Sequence, residues 1–325
     1  MSLRRLGLIL LVVGAAAVAW LGWSFGANWT GDGPLRAPMT VSVPEGASIR
    51  SMASRLQQAG AIRSAESFRL GARLFGSGAP IKAGNYRLPK QASAAEILAI
   101  LQSGKTVQLL VAIPEGLPSI LVYERLMAKT DLTGPLAVPA EGSVLPDSYA
   151  YEKGESRAAV LKRMQAAMTR LLDRTWPGRD PDILVKTRHE ALTLASIVEK
   201  ETAVPAERST VAGVYYNRLK VGMRLQADPT IIYPITKGKP LGRRIRQSEL
   251  RAVNGYNTYA MVGLPKGPIA NPGRAAIDAV LHPAQTHAVY FVADGKGGHV
   301  FADTYAEHQA NVRKWFAIRR ARGEL

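Results

Sequence analysis

From Leu6 to Phe25 the chain runs for about 20 residues without a charge, the length a helix needs to cross a hydrocarbon layer of ~30 Å. Arg4 and Arg5 stand just before it. Positive residues stay on the cytoplasmic side, so this order keeps the N-terminus inside and sends the rest of the chain outside. A cleaved leader is the rival reading, because Ala15, Ala16, Ala17 and Ala19 supply small residues at a suitable spacing. Apolar sequence continues past that point through Trp20, Leu21, Trp23 and Phe25, and the two tryptophans suit an outer membrane interface. The expectation is an uncleaved anchor at 6–26 behind a cytoplasmic tail at 1–5.

The remainder is long enough for about two ordinary domains. It has no cysteine, which removes disulfides and thiolate metal sites and leaves stability to a conventional core. With 42 Lys and Arg against 25 Asp and Glu the net charge is +17. Such a surface favours polyanions: nucleic acid, anionic lipid headgroups or an acidic wall polymer. A domain outside the membrane has no nucleic acid to meet. The basic residues are also not interleaved with aromatics, and no finger or helix-turn-helix pattern occurs.

Residues 27–39 read as a polar linker broken by Gly31, Gly33, Pro34 and Pro38. From 40 to 105 the pattern is compact. Val41 and Val43 mark a strand, and a helix follows from Ser48 to Gly60 with Ile49, Met52, Ala53 and Leu56 on one face. A second helix covers Ser64 to Phe75, and Ile81 to Leu88 alternates as a strand. Ser93 and Glu96 form a capping box for a helix ending near Ser103. Residues 106–180 form a connecting region, with a strand at Val107 to Ile113 and helices near 119–129 and 156–176. Between those helices, Glu141 to Tyr149 reads as a loop with acids and an aromatic able to line a cleft. The block 181–325 is the larger domain. The fold class expected is α+β: one N-terminal transmembrane helix, a small α/β module, and a mixed domain whose acid sits on a helix.

That acid comes from Leu194-Ala195-Ser196-Ile197-Val198-Glu199-Lys200-Glu201-Thr202. Residues two apart on a helix point about 200° from one another, so one face cannot hold both glutamates. Three, four and seven positions before Glu201 stand Val198, Ile197 and Leu194; before Glu199 stand Ser196, Ala195 and Leu192. Glu201 therefore borders the apolar stripe and Glu199 lies nearer solvent. A carboxyl against apolar surface keeps its proton to higher pH, as a general acid for glycosidic cleavage must. The plain alternative is a solvated or ion-paired helical glutamate.

A helix near 206–219 carries Asn217 and Arg218, and three polar loops follow. Gly222 to Thr230 sets Gln226, Asp228 and Thr230 beside a proline. Asn254 to Tyr259 adds Asn257 and Tyr259, and 263–273 is too rich in Gly and Pro for helix or inner strand. Amides, carboxylates and aromatic faces suit carbohydrate, although the same residues also make turns. His189-Glu190 lacks the partner of a zinc motif, and the five histidines form no ligand pattern. No nucleophile elbow occurs. Gly295 to His299 lacks the spacing of a phosphate-binding loop and reads as a hairpin turn between Tyr290-Phe291-Val292 and Val300-Phe301. Neither a metal nor a cofactor is expected.

The segments Ala195 to Thr202, Asn217-Arg218-Leu219, Gly222 to Thr230, Tyr256 to Tyr259, Gly263-Leu264-Pro265, Pro268 to Gly273, His282-Pro283-Ala284 and Tyr290 to Gly295, in that order, resemble the YceG-like endolytic murein transglycosylases (the MltG family). The resemblance covers essentially the whole chain. It implies a LysM-like module at 40–105 and a catalytic domain at 181–325, with Glu201 as the catalytic acid. It further implies that Gln226, Asp228, Thr230, Asn257 and Tyr259 hold glycan or position the acid, with Asn217 and Glu141 as further binding candidates. The implied reaction cleaves the MurNAc–GlcNAc bond inside nascent strands, leaves 1,6-anhydro-MurNAc ends and terminates elongation at the inner membrane. Peptidoglycan strands and peptidoglycan synthases are the implied partners. Two positions depart from the family pattern: Ser148 stands for Thr, and Pro234 follows Tyr233 where Gly is common. The rival readings are a non-catalytic wall-binding scaffold and a water-using muramidase.

Overall fold

The computed structural model describes residues 3–324, without the side chains of 3–12, 17–19 and 21. It divides into two compact units, up to Leu109 and from Leu110 onward.

The first unit begins with helix α1 (Leu3–Thr30). Among the described residues no helix is long and apolar enough to cross a membrane. The span expected at 6–26 falls largely on side chains outside the described residues. Next come β1 (Met39–Val43), α2 (Ile49–Gln58), α3 (Ala65–Phe75), β2 (Gly84–Leu88) and α4 (Ala94–Ser103). The strands pair antiparallel with Val41 opposite Tyr86. Ser48, Ser64 and Ser93 each accept a backbone N–H from the first turn of the following helix, which fixes where the three helices start. Met52, Leu56, Phe68, Tyr86, Leu88, Ile97 and Leu101 fill the core. The stretch expected as a polar linker contributes to it, because Trp29 and Leu35 are buried there. The Trp29 ring lies 6.1 Å from that of Phe68 and 6.3 Å from that of Phe75.

The second unit contains β3 (Leu109–Ile113), α5 (Ser119–Met127), β4 (Asp147–Tyr151), α6 (Arg157–Thr175), α7 (Arg188–Glu201) and α8 (Arg208–Lys220). It continues with α9 (Pro229–Thr236), α10 (Gln247–Arg251), α11 (Arg274–Leu281), β5 (Tyr290–Ala293), β6 (His299–Ala302) and α12 (Tyr305–Ala321). Strands pair as β3 with β4 and β5 with β6, so the architecture is mixed α+β with small sheets. Two loop readings change. Asp147 opens a strand, and the chain turns helical at Pro229, whose fixed φ suits a first helical position. At the centre, α7 buries Ala191, Leu194, Ala195, Ile197 and Val198. Around it lie Leu171 and Leu172 of α6, Val211, Ala212 and Tyr215 of α8, and Ala276, Ile277 and Val280 of α11.

Gly71 on α3 exists for the Trp29 ring, since a Cβ there would collide with it. Gly71→Leu should therefore destabilise the first unit by ~1–3 kcal/mol through overpacking, read as a lower midpoint in chemical denaturation. An unchanged midpoint would mean that Trp29 does not pack there.

Candidate active site

Helix α7 is held from both ends. Thr187 and Glu190 form a reciprocal capping box at its start. Near its end, Ser196 and Glu199 share one face, three residues apart. Ser196 Oγ accepts the Ile269 N–H (3.0 Å) and Glu199 Oε2 accepts the Gly273 N–H (2.8 Å). Gly273 is the N-cap of α11, so the Glu199 carboxylate also meets the positive end of that helix dipole. Arg208 approaches its other oxygen at 3.7 Å, and only 6% of the Glu199 side chain is exposed. Glu199 is less deeply buried than Glu201, as expected, but its carboxylate is covered and bound instead of solvated. Helical spacing finds the less apolar face, but the Gly- and Pro-rich segment 263–273 covers it.

Glu201 is the last residue of α7. Its Oε1 is buried and has no hydrogen-bond partner. Burial, reinforced by the negative charge of Asp228, pushes its pKa up to about 7, against the opposing pull of the Tyr215 hydroxyl and the Arg218 cation. Tyr215 and Arg218 sit three apart on α8 and so point the same way. Complete burial and the nearby Glu201 drive the Tyr215 phenol well above its usual range, leaving it a neutral hydroxyl. Arg218 is fixed by donating Nε to the Val289 carbonyl and Nη1 to that of Leu225, both at 2.6 Å. Asp228, at the start of α9, accepts the Tyr259 O–H at 2.6 Å. The centre is thus one protonatable carboxyl beside one hydroxyl-bound carboxylate, an arrangement suited to giving and retrieving a single proton next to a developing cation.

The other candidates separate by what their polar atoms already hold. Gln226 is exposed on a left-handed backbone (φ 53°), its N–H bound to the Thr258 carbonyl. Thr230 is fully buried, with its hydroxyl 2.8 Å from that of Thr258, which in turn accepts the Ala227 N–H. It staples the 227–230 turn. Asn257, 1% exposed, donates its amide to the carbonyls of Glu249, Leu250 and Ala252 and so finishes α10. Asn217 donates to the Thr286 and Ala288 carbonyls, tying α8 to the approach to β5. Glu141 accepts the Ser119 N–H (2.8 Å) at the start of α5 and the Asn271 amide (3.3 Å). Asn271, wholly buried, also takes the Val144 N–H and donates to the Leu117 carbonyl. Of these candidates, Asp228 acts on Glu201 through its charge, and Tyr259 is bound to Asp228 and feels the Glu201 charge. Tyr215 and Arg218 were not recognised as part of the site. Their three-residue spacing on a buried helix is a signal, but nothing in sequence ties that face to Glu201.

A family model described as the YceG-like family matches residues 41–314. A Bacillus subtilis (strain 168) protein named endolytic murein transglycosylase is 28% identical over 314 residues, covering 87% of this chain and 86% of that protein. A Streptococcus pneumoniae (strain D39) protein of the same name is 30% identical over 323 residues, covering 84% of this chain; the chain spans 58% of that relative's length. A 2.6 Å crystal structure of a yceG-like protein from Listeria monocytogenes superposes with a TM-score of 0.53 at 26% identity, over 84% of this chain and 98% of that one.

Two outcomes follow from the geometry. An acid whose pKa rises on folding, here from 4.5 to about 7, carries no penalty below pH 4.5, a growing one up to about 7 and the full one above. Glu201→Gln should therefore equal the parent in stability near pH 4 and exceed it by ~3 kcal/mol at pH 8. Denaturant titrations at the two pH values check this, and equal stability at pH 8 contradicts the raised pKa. Asn257→Ala takes the side-chain donor from the Leu250 and Ala252 carbonyls, while that of Glu249 keeps the Ala252 N–H; it should cost ~2–4 kcal/mol, read in the same titration.

Proposed function

The chain belongs to the YceG-like family, and on that premise we propose that it is a membrane-anchored endolytic lytic transglycosylase acting on nascent peptidoglycan. The observation that carries the reading is the Glu201 carboxyl, one oxygen of which is buried without a partner, with its pKa near 7. Glu201 gives its proton to the oxygen joining MurNAc C1 to GlcNAc, and the C1–O bond breaks through an oxocarbenium-like state. The adjacent Asp228 charge stabilises that cation, with Tyr259 holding one of its oxygens. Glu201, now a carboxylate favoured by Arg218 and the Tyr215 hydroxyl, takes the proton of the MurNAc C6 hydroxyl. O6 then closes onto C1 and leaves a 1,6-anhydro end. The acid ends protonated as it began, and no water enters.

The uncharged run at 6–26 behind Arg4 and Arg5 supports an inner-membrane anchor, with both units on the outer side. A LysM-like glycan-binding role for the first unit, and contact with peptidoglycan synthases, belong to the same reading. Asp228 beside Glu201 favours one second reading, a hydrolase in which Asp228 assists water.

The full chain in detergent, incubated with uncrosslinked glycan strands and followed by mass spectrometry, separates these. Anhydro-MurNAc ends are expected, lost by ~10²-fold or more in Glu201→Gln. Reducing ends would establish the hydrolase, and bound but uncut glycan a scaffold. Because the acid must start protonated, kcat/KM should fall tenfold per pH unit above about pH 7.

A further inference from the structure

A cleft of about 430 Å³ that the reaction above does not use is lined in part by the chain neighbours of Glu201 and Asp228. Pro118 and Leu121 of the α5 end, Ile232 of α9 and Ile269 form its apolar walls. Ile232 stands one turn after Asp228 on the same side of α9, about 6 Å along the axis. Lys200, the neighbour of Glu201, also lines it. The lining thus includes Lys200, one residue before Glu201, and Pro229, one residue after Asp228. Its rim is ionic. Lys200 is exposed and has no acidic partner among the described residues, while Lys239 is held by Glu124 at 2.6 Å. Glu115, half-exposed, supplies a negative group on the same rim.

MurNAc, the sugar whose C1 reacts, carries a lactyl-linked peptide two ring carbons away at C3. A cut at Glu201 thus brings the root of that peptide beside the acid. The peptide is short, bears small methyl side chains, several carboxylates and often one amine. Apolar walls, a free ammonium and a nearby carboxylate match it, and the volume lies within the range of sites for molecules of that size.

Building on the transglycosylase reading, we propose that the cleft between α5, α9 and Ile269 is a subsite for the anionic stem peptide of the reacting MurNAc. Lys200 pairs with a peptide carboxylate, and the cleft walls take the methyl groups. The enzyme thereby senses whether a strand is decorated, not only where its sugars lie.

The test compares kcat/KM of the full chain on uncrosslinked peptide-bearing strands and on the same strands stripped by an amidase. The parent should prefer decorated strands by about tenfold. Leu121→Trp, which fills the cleft from α5, should bring the ratio close to one, chiefly through KM on decorated strands. Lys200→Gln should lower the ratio several-fold without moving the pH at which the rate is half-maximal, which separates peptide pairing from an effect on Glu201. A parent ratio near one overturns the proposal, as does a ratio kept in both variants. If Leu121→Trp does not fold, Lys200→Gln decides alone. Absence of any cleavage of either substrate by the parent fails the transglycosylase reading and the subsite with it. Cleavage without preference fails the subsite only.

Discussion

The burial of one carboxyl with an unpartnered oxygen is the constraint on which the rest of the second unit depends. Such a group is unfavourable to the folded state in its charged form, so it stays in place only if its surroundings are fixed by other means. They are. Glu201 ends α7, and the next residue, Thr202, donates its hydroxyl to Glu207, which also accepts the His299 backbone N–H. The chain leaving the acid is thereby tied to β6. On the other face, Ser196 and Glu199 hold segment 263–273 by two backbone amides. Tyr215 and Arg218 come from α8, whose Val211 and Ala212 pack into the same core as α7. The acid cannot relax toward water without disturbing several of these ties together.

Glu199 and Glu201 show how surroundings, not residue type, assign a role. Both carboxyls are pushed upward by desolvation. Glu199 is offset by a backbone N–H and by Arg208, so it works as a strut at the N-terminus of α11. Glu201 meets Asp228 and an empty oxygen position instead. Two residues of separation on a helix are enough to place one in a satisfied environment and the other in a reactive one.

What the sequence disclosed follows from how local each signal is. Ser48, Ser64 and Ser93 each mark a helix start through contacts within three residues, and such starts are readable along the chain. The burial of Glu201 was readable because Leu194, Ile197 and Val198 lie on its own helix. The covering of Glu199 was not, because the cover arrives from residues 269–273. The helices α9, α10 and α11 hide in stretches dense with Pro, Gly and Asn, where turn chemistry outweighs a short apolar period. Trp29 was hidden for a similar reason: its polar neighbours describe a linker, while its ring is claimed by Gly71 on a distant helix.

The same distinction orders the polar residues around the centre. Asn257, Asn217, Thr230 and Asn271 direct their side-chain donors at protein carbonyls or buried hydroxyls. Engaging a sugar would require breaking those bonds at ~1–3 kcal/mol for each buried group left unpaired, which a sugar hydroxyl already satisfied by water cannot return. Glu201, Asp228 and Gln226 differ. Glu201 has an oxygen with no partner, Asp228 is exposed with one oxygen bound by Tyr259, and Gln226 projects outward from a left-handed backbone. Residues of one motif thus divide into those that build the cleft and those with capacity left for a ligand. The first group outnumbers the second because a reactive carboxyl held in apolar surroundings needs more support than contact. An amide-rich loop in a sequence is therefore ambiguous between scaffold and ligand contact until each amide's partners are known.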